Sequence, residues 1–280
     1  HLSIRRQRQM CIRDRTGGGL TRLTYASGGY FRVNGDVSFG GPVMLQTDIA
    51  MDVTGHVTFG GDINSYDANL YALTVNSPGN TIFGGRIGFD SALRALTTDA
   101  GGTTFINGGY VRTTSNTQIY NDDVVLSMDT TIIDGGNVTF NGTVDSASTG
   151  FYNLDIDADG TTTFAGKVGG TRLLGEIDID SDTGIAVNGG LVASTGSQTY
   201  SDLVSVAGTA FVSTTGSLNF NAGATTTLPN NDVWFLAADD IRFGGSAQWA
   251  GSGNMTLVSG WNAATDGSTG WTLGGTTADT

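Results

Sequence analysis

The residues of this 280-residue chain best equipped for chemistry are its aspartates. Asp155-Ile-Asp157-Ala-Asp159-Gly160 has the D-x-D-x-D-G spacing with which a calcium loop opens, placing hard carboxylate oxygens at alternate positions. The twelfth position of such a loop calls for a bidentate Glu and here holds Gly166. Asp155, Asp157 and Asp159 are therefore a candidate calcium site with an incomplete ligand set, and the alternative reading is an outward-facing strand that runs into a turn. Asp178, Asp180 and Asp182 form a second acidic row with the same two readings. For acid–base work the candidates are the pairs Asp122-Asp123 and Asp239-Asp240, with His56. Trp249, Trp261 and Trp271, with Tyr30, Tyr110 and Tyr152, could form a platform for sugars or proteins, or fill corners and close the last coil.

The elements that must position these residues repeat. "TIFGGRIG" at 81–88 returns as "TTFAGKVG" at 162–169, and "HVTFGGDIN" at 56–64 returns as "NVTFNGTVD" at 137–145, each shifted by 81 residues. Within that unit an apolar anchor followed by a Gly-containing pair recurs every 20 to 34 residues, from Phe39-Gly40-Gly41 to Phe243-Gly244-Gly245. Self-similarity at such periods marks a stack of coils in which each touches only its neighbours. Apolar and polar residues alternate over short runs, as in Leu154 to Asp157 and Ile177 to Asp180, the period of a half-buried strand. The expectation is an all-β fold, a parallel β-helix of about ten rungs of roughly 20–24 residues, with a higher-order repeat of about 81. Residues 16–245 carry the rungs, and 246–280 form a last rung, a cap or a linker. Phe, Val, Ile and Leu should stack inward on the same position one rung away. Gly and Asn should turn the corners through left-handed conformations. Asn34, Asn107, Asn141 and Asn188 are expected to form a ladder.

The repeat also weighs the chemistry. Asp122 corresponds to Asp202 in the next copy but with Leu203 beside it, so the pair is lost, and His56 corresponds to Asn137; the acid–base candidates read as variable exposed positions. There is no nucleophile elbow, metal-ligand spacing or phosphate loop, because the Gly pairs follow strand residues rather than open a helix. The expected role is not enzymatic.

Composition bounds the partners. The first 15 residues, "HLSIRRQRQMCIRDR", hold five of the 13 basic residues and the only cysteine, Cys11, and show no trace of the repeat. This arm resembles translated adapter read-through from a sequencing library; it has no apolar core and cleavage site of a secretory signal. Without it eight basic and 25 acidic residues remain, a balance of −17. Such a surface repels nucleic acid and anionic lipid. No apolar stretch is long enough to span a bilayer as a helix. A body without cysteine suits export across a bacterial envelope. Gly28-Gly29-Tyr30 matches Gly108-Gly109-Tyr110, so the chain enters mid-repeat and is expected to be a fragment that continues into further repeats.

The phrases "VTFNGTV" and "TTFAGKV", the turns "INGG" and "VNGG", and the segments "NTQIYND" and "GSQTYSD" resemble the long repeat regions of bacterial filamentous-haemagglutinin-like and autotransporter-type surface proteins. The resemblance covers about residues 37–245. It implies a right-handed parallel β-helix shaft, secreted or held on the cell surface, that serves adhesion or display toward proteins or glycans of a host or neighbouring cell. The alternative is a carbohydrate-active or glycan-binding β-helix.

Overall fold

The computed structural model describes residues 19–24, 31–114, 117–222, 224–228, 232–244, 248–251 and 253–260. The 15-residue arm, Tyr30, Trp261 and Trp271 lie outside the described residues. Runs such as Ile49–Val53, Leu154–Ala158 and Ile177–Ser181 alternate buried and outward residues, and every strand pairing among the described residues is parallel. With no helix to cross between them, consecutive strands fall on three faces in turn and the chain coils into a β-solenoid.

Face I runs from Thr21–Leu23 to Ile241–Phe243, face II from Phe31–Val33 to Gln248–Gly251, and face III from Val37–Phe39 to Met255–Ser259. Face II is one sheet of 11 strands. Faces I and III are each continuous through a single bridging residue, Ile87 between Ile63 and Val111, and Val168 between Val144 and Val192. Paired positions on adjacent coils lie between 24 residues apart, as Val57 and Thr81, and 19 apart, as Ile185 and Val204. Eleven strands spaced by about 4.8 Å make a stack on the order of 50 Å long. A main apolar core runs through it from Leu23 to Ala237, and a smaller cluster gathers Ala193, Ala210, Val212 and Leu236. The strands Gln248–Gly251 and Met255–Ser259 pair with the preceding coil, so the stack continues past residue 245 as a further rung.

The 81-residue unit is not a whole number of coils. It comprises ten strands and one bridging residue, three coils and two faces, so each copy of the sequence lies one face back from the last. The buried aromatics show this directly. Phe39, Phe59 and Phe83 stack on face III with ring centroids 5.2 and 5.6 Å apart. Their counterparts Tyr120, Phe140 and Phe164 stack on face II at 4.9 and 5.3 Å. Tyr200, Phe220 and Phe243 stack on face I at 4.9 and 5.1 Å. The three faces accept the same strand sequence because each asks only for alternate apolar residues facing one shared core.

Most corner glycines serve a purpose other than left-handed backbone. A Cβ on Gly85 would lie 2.3 Å from the carbonyl carbon of Gly61, on Gly108 2.0 Å from the Gly85 oxygen, and on Gly189 1.8 Å from the Gly166 oxygen. These positions stack backbone on backbone between coils and have no room for a side chain. Left-handed φ is needed at the residues after the last two, Gly109 at 65° and Gly190 at 78°. The expected asparagine ladder does not form: Asn34, Asn141 and Asn188 share the corner between faces II and III but lie on coils that are not adjacent, and Asn107 sits at another corner, between faces III and I. Asn141 instead donates to Asn121 one coil away, at 2.7 Å.

Candidate functional site

The acidic rows form a grid on the outside of face I. Asp155 and Asp157 are the outward residues of Leu154–Ala158, opposite Asp178 and Asp180 on the next strand, and Asp159 is exposed at the corner that follows. Extended backbone holds these carboxylates side by side instead of wrapping them around a point. Among the described residues no group of three or more His, Cys, Asp or Glu is placed to hold a metal ion. Crowding shows in the protonation equilibria. Asp155 is pushed above the ordinary carboxylate range by loss of solvent and then by Asp178. Asp180 is pushed up by sharing a hydrogen bond with Asp202, then by partial burial and the charges of Asp202, Asp157 and Asp182.

The acid–base candidates do not converge. Asp122 is not an exposed position: it is 3% exposed and accepts from Thr98 Oγ1 at 2.7 Å and from Thr104 Oγ1 at 2.8 Å. Asp123 points outward and accepts from the Thr143 amide at 2.7 Å. His56 is a corner piece whose Nδ1 accepts from the Asn80 amide at 2.8 Å. Asp239 and Asp240 are exposed at a corner, with Asp240 paired to Arg242.

A buried polar cluster lies where the sequence promised only apolar packing. Asp134, 1% exposed, accepts from Thr113 Oγ1 at 2.6 Å and from the Gln118 amide at 2.9 Å, and loss of solvent raises its pKa to about 6. Gln118 Nε2 donates to the Ile133 carbonyl at 2.9 Å, and the Tyr120 hydroxyl donates to Gln118 Oε1 at 3.0 Å. The next copy repeats the pair, Tyr200 donating to Gln198 Oε1 at 2.9 Å. Burial pushes both tyrosines up, so each keeps its proton and remains a donor. The recurring Q-x-Y within "NTQIYND" and "GSQTYSD" was the available signal.

Among the described residues the surface departs from a plain prism at two pairs of bulges. In the first copy residues 66–71 and 88–94 leave the corner between faces I and II; in the second, 147–153 and 169–175 leave the corner between faces III and I. Both are pinned identically from below. Buried Asn64 Oδ1 accepts from the amides of Asp90 and Ser91 at 3.0 and 3.1 Å, and Asp145 Oδ1 from those of Thr171 and Arg172 at 2.8 and 2.9 Å. Ser65 Oγ accepts from the Tyr71 amide at 3.0 Å and Ser146 Oγ from that of Tyr152 at 2.9 Å. The bulges lift aromatic rings to the surface. Phe89, 45% exposed, lies under the Arg86 guanidinium at 3.7 Å and against Tyr110 edge-on at 5.2 Å, while Asp62 holds Arg86 at 2.8 Å. Phe151, 51% exposed, lies under Arg172 at 5.0 Å, and Tyr66, 48% exposed, under Arg22 at 5.5 Å.

Of the aromatic platform expected from sequence, Tyr110 joins Phe89 and Tyr152 braces its bulge through Thr149 at 2.7 Å. Trp249 sits on the face II strand opposite Thr226, away from both. A shallow groove of about 490 Å³ runs along face II beside Arg32, Asp52, Asn76 and Asp99. Its charges are engaged: Asn76 donates to Asp52 at 2.9 Å and lowers its pKa, with Arg32 on its other oxygen at 3.0 Å, and Asp99 accepts from the Ser77 amide at 2.9 Å.

No protein-family model, no curated protein and no solved structure matches this chain.

Proposed function

We propose that this chain is a segment of the shaft of a large bacterial repeat protein, secreted or held on the cell surface, whose work is reach and display in adhesion. The observation that carries the reading is the division of labour between the inward and outward positions of each copy. Inward, the stacked rings, the close-packed glycines and the Q-x-Y pairs persist from copy to copy as they move from face to face. Outward, chemically capable residues drift: Arg86 becomes Lys167, Tyr110 becomes Leu191, and the turn residue Pro78 becomes Asp159. Conservation of the core alone is what a spacer requires, since its stability is a sum over neighbouring coils. A body without cysteine and a balance of −17 fit an exported polymer that stays apart from nucleic acid and anionic membranes. The resemblance in repeat style to filamentous-haemagglutinin-like and autotransporter-type proteins points the same way. The test is protease shaving of intact producing cells, followed by electron microscopy of the released chain. Surface cleavage and thin rods are expected; protection of the chain until the cells are lysed would defeat the reading.

A further inference from the structure

We infer that the bulges are subsites for a neutral polysaccharide, engaged at repeated points along and around the shaft; the inference rests on the reading of the chain as an extracellular shaft. Among the described residues, the exposed aromatic side chains, Tyr66, Phe89 and Phe151, all lie in bulges, and each has an arginine over its ring. The other large rings whose burial the structure describes are inside the coil or half-buried against it. The platforms are also rigid. Asn64 and Asp145, 4% and 7% exposed, spend a side-chain oxygen on two loop amides each, and Asp62 fixes the guanidinium that backs Phe89. A ring held this way loses little freedom when a ligand settles on it.

The chemistry of the platform selects the class of ligand. A half-open ring offers its negative face to the polarised C–H bonds of a pyranose, while guanidinium N–H groups and nearby carboxylates serve its hydroxyls. Each platform is too small for a stable protein partner, which needs about 800 Å² on each side. Three such rings on one shaft, on bulges whose anchors repeat, suit a ligand that itself recurs, because weak contacts joined by a polymer multiply through effective concentration. The surrounding charge, −17 for the body, disfavours polyanions such as uronate polymers and nucleic acids. Since each copy lies one face back, the second pair of bulges stands about 18 Å along and a third of a turn around from the first, so the polymer would wind across the shaft.

The test is affinity electrophoresis of the intact chain through gels containing neutral glucan, mannan or galactan, with alginate as the polyanionic comparison. At least one neutral polymer should retard the wild type while its monosaccharide does not compete at equal mass, and alginate should not retard it. Phe89→Ala and Phe151→Ala should each weaken retardation about 5- to 10-fold, and the double variant 50-fold or more. The inference is overturned if no neutral polymer retards the chain, if the monosaccharide competes as well as the polymer, if alginate retards it as strongly, or if the double variant behaves as wild type. Small-angle scattering on the same samples separates the two readings. A rod that ignores glycans overturns this inference alone, whereas a compact profile overturns the shaft.

Discussion

Asp134 is sealed inside the stack with the Thr113 hydroxyl and the Gln118 and Gly136 amides facing it, and the balance between lost solvent and gained hydrogen bonds leaves its pKa at about 6. The folded protein thus holds a proton on this group more readily than the unfolded chain, where the carboxyl titrates near 3.8. Its ionisation weighs against folding above pH 6, and that penalty is relieved as the pH falls from 6 toward 4. Stability in urea should therefore rise by about 2 kcal/mol between pH 7 and pH 4.5 from this residue, a gain that Asp134→Asn abolishes. A wild-type midpoint that fell steadily over that range would contradict the assignment. None of this is legible in the sequence, because an aspartate at the end of a strand, like Asp134, or in a corner, like Asp122, looks the same whether it turns in or out. The glycines were legible as corner residues, but their cause was not. Gly189→Ala should cost more than about 1 kcal/mol, because its Cβ would meet the Gly166 backbone, while Gly40→Ala, with nothing within 4 Å, should be nearly silent.

At the scale of elements, the strands were legible from alternation and the rungs from the recurring Phe-Gly phrases. The bulges were not, since their anchors are a single small polar residue followed by serine, "NS" at 64–65 and "DS" at 145–146, easily taken for one more turn. What makes them anchors is burial: all three residues of Ile63–Ser65 and of Val144–Ser146 are enclosed, which breaks the alternation of an exposed strand. Asn64→Ala should leave the amides of Asp90 and Ser91 without an acceptor and destabilise by about 1–3 kcal/mol. Faster hydrogen exchange at those two amides, with the Phe39–Phe59–Phe83 stack still protected, would show that the loss is local; unchanged exchange would remove the anchor role. The ring stacks carry more. Phe140 lies between Tyr120 and Phe164, and Phe140→Ala should cost about 3–5 kcal/mol through lost burial and the cavity left in the stack.

At the scale of the whole molecule, the repeat and the coil are out of step, and that mismatch has a measurable consequence. If strands were matched to particular faces, excising one 81-residue unit would force every later strand onto a face it was not built for, and the chain would misfold. The aromatic stacks argue otherwise, because the same rings work on faces III, II and I in turn and the same Q-x-Y pair works on faces II and I. In-frame deletion of residues 82–162 joins Thr81 to Thr163, equivalent points at the start of the ring-bearing phrase in successive copies. The shortened chain should fold with the same circular dichroism per residue, and its rod should be shorter by about 18 Å, three coils and two faces at the inter-strand spacing. Its stability per coil should hardly change, as expected of a sum over neighbours. Loss of the β signal in this deletion, set against a well-folded variant lacking one single coil, would show that the faces are individually specified and that the turning of the repeat is a constraint on the sequence rather than a freedom of the fold.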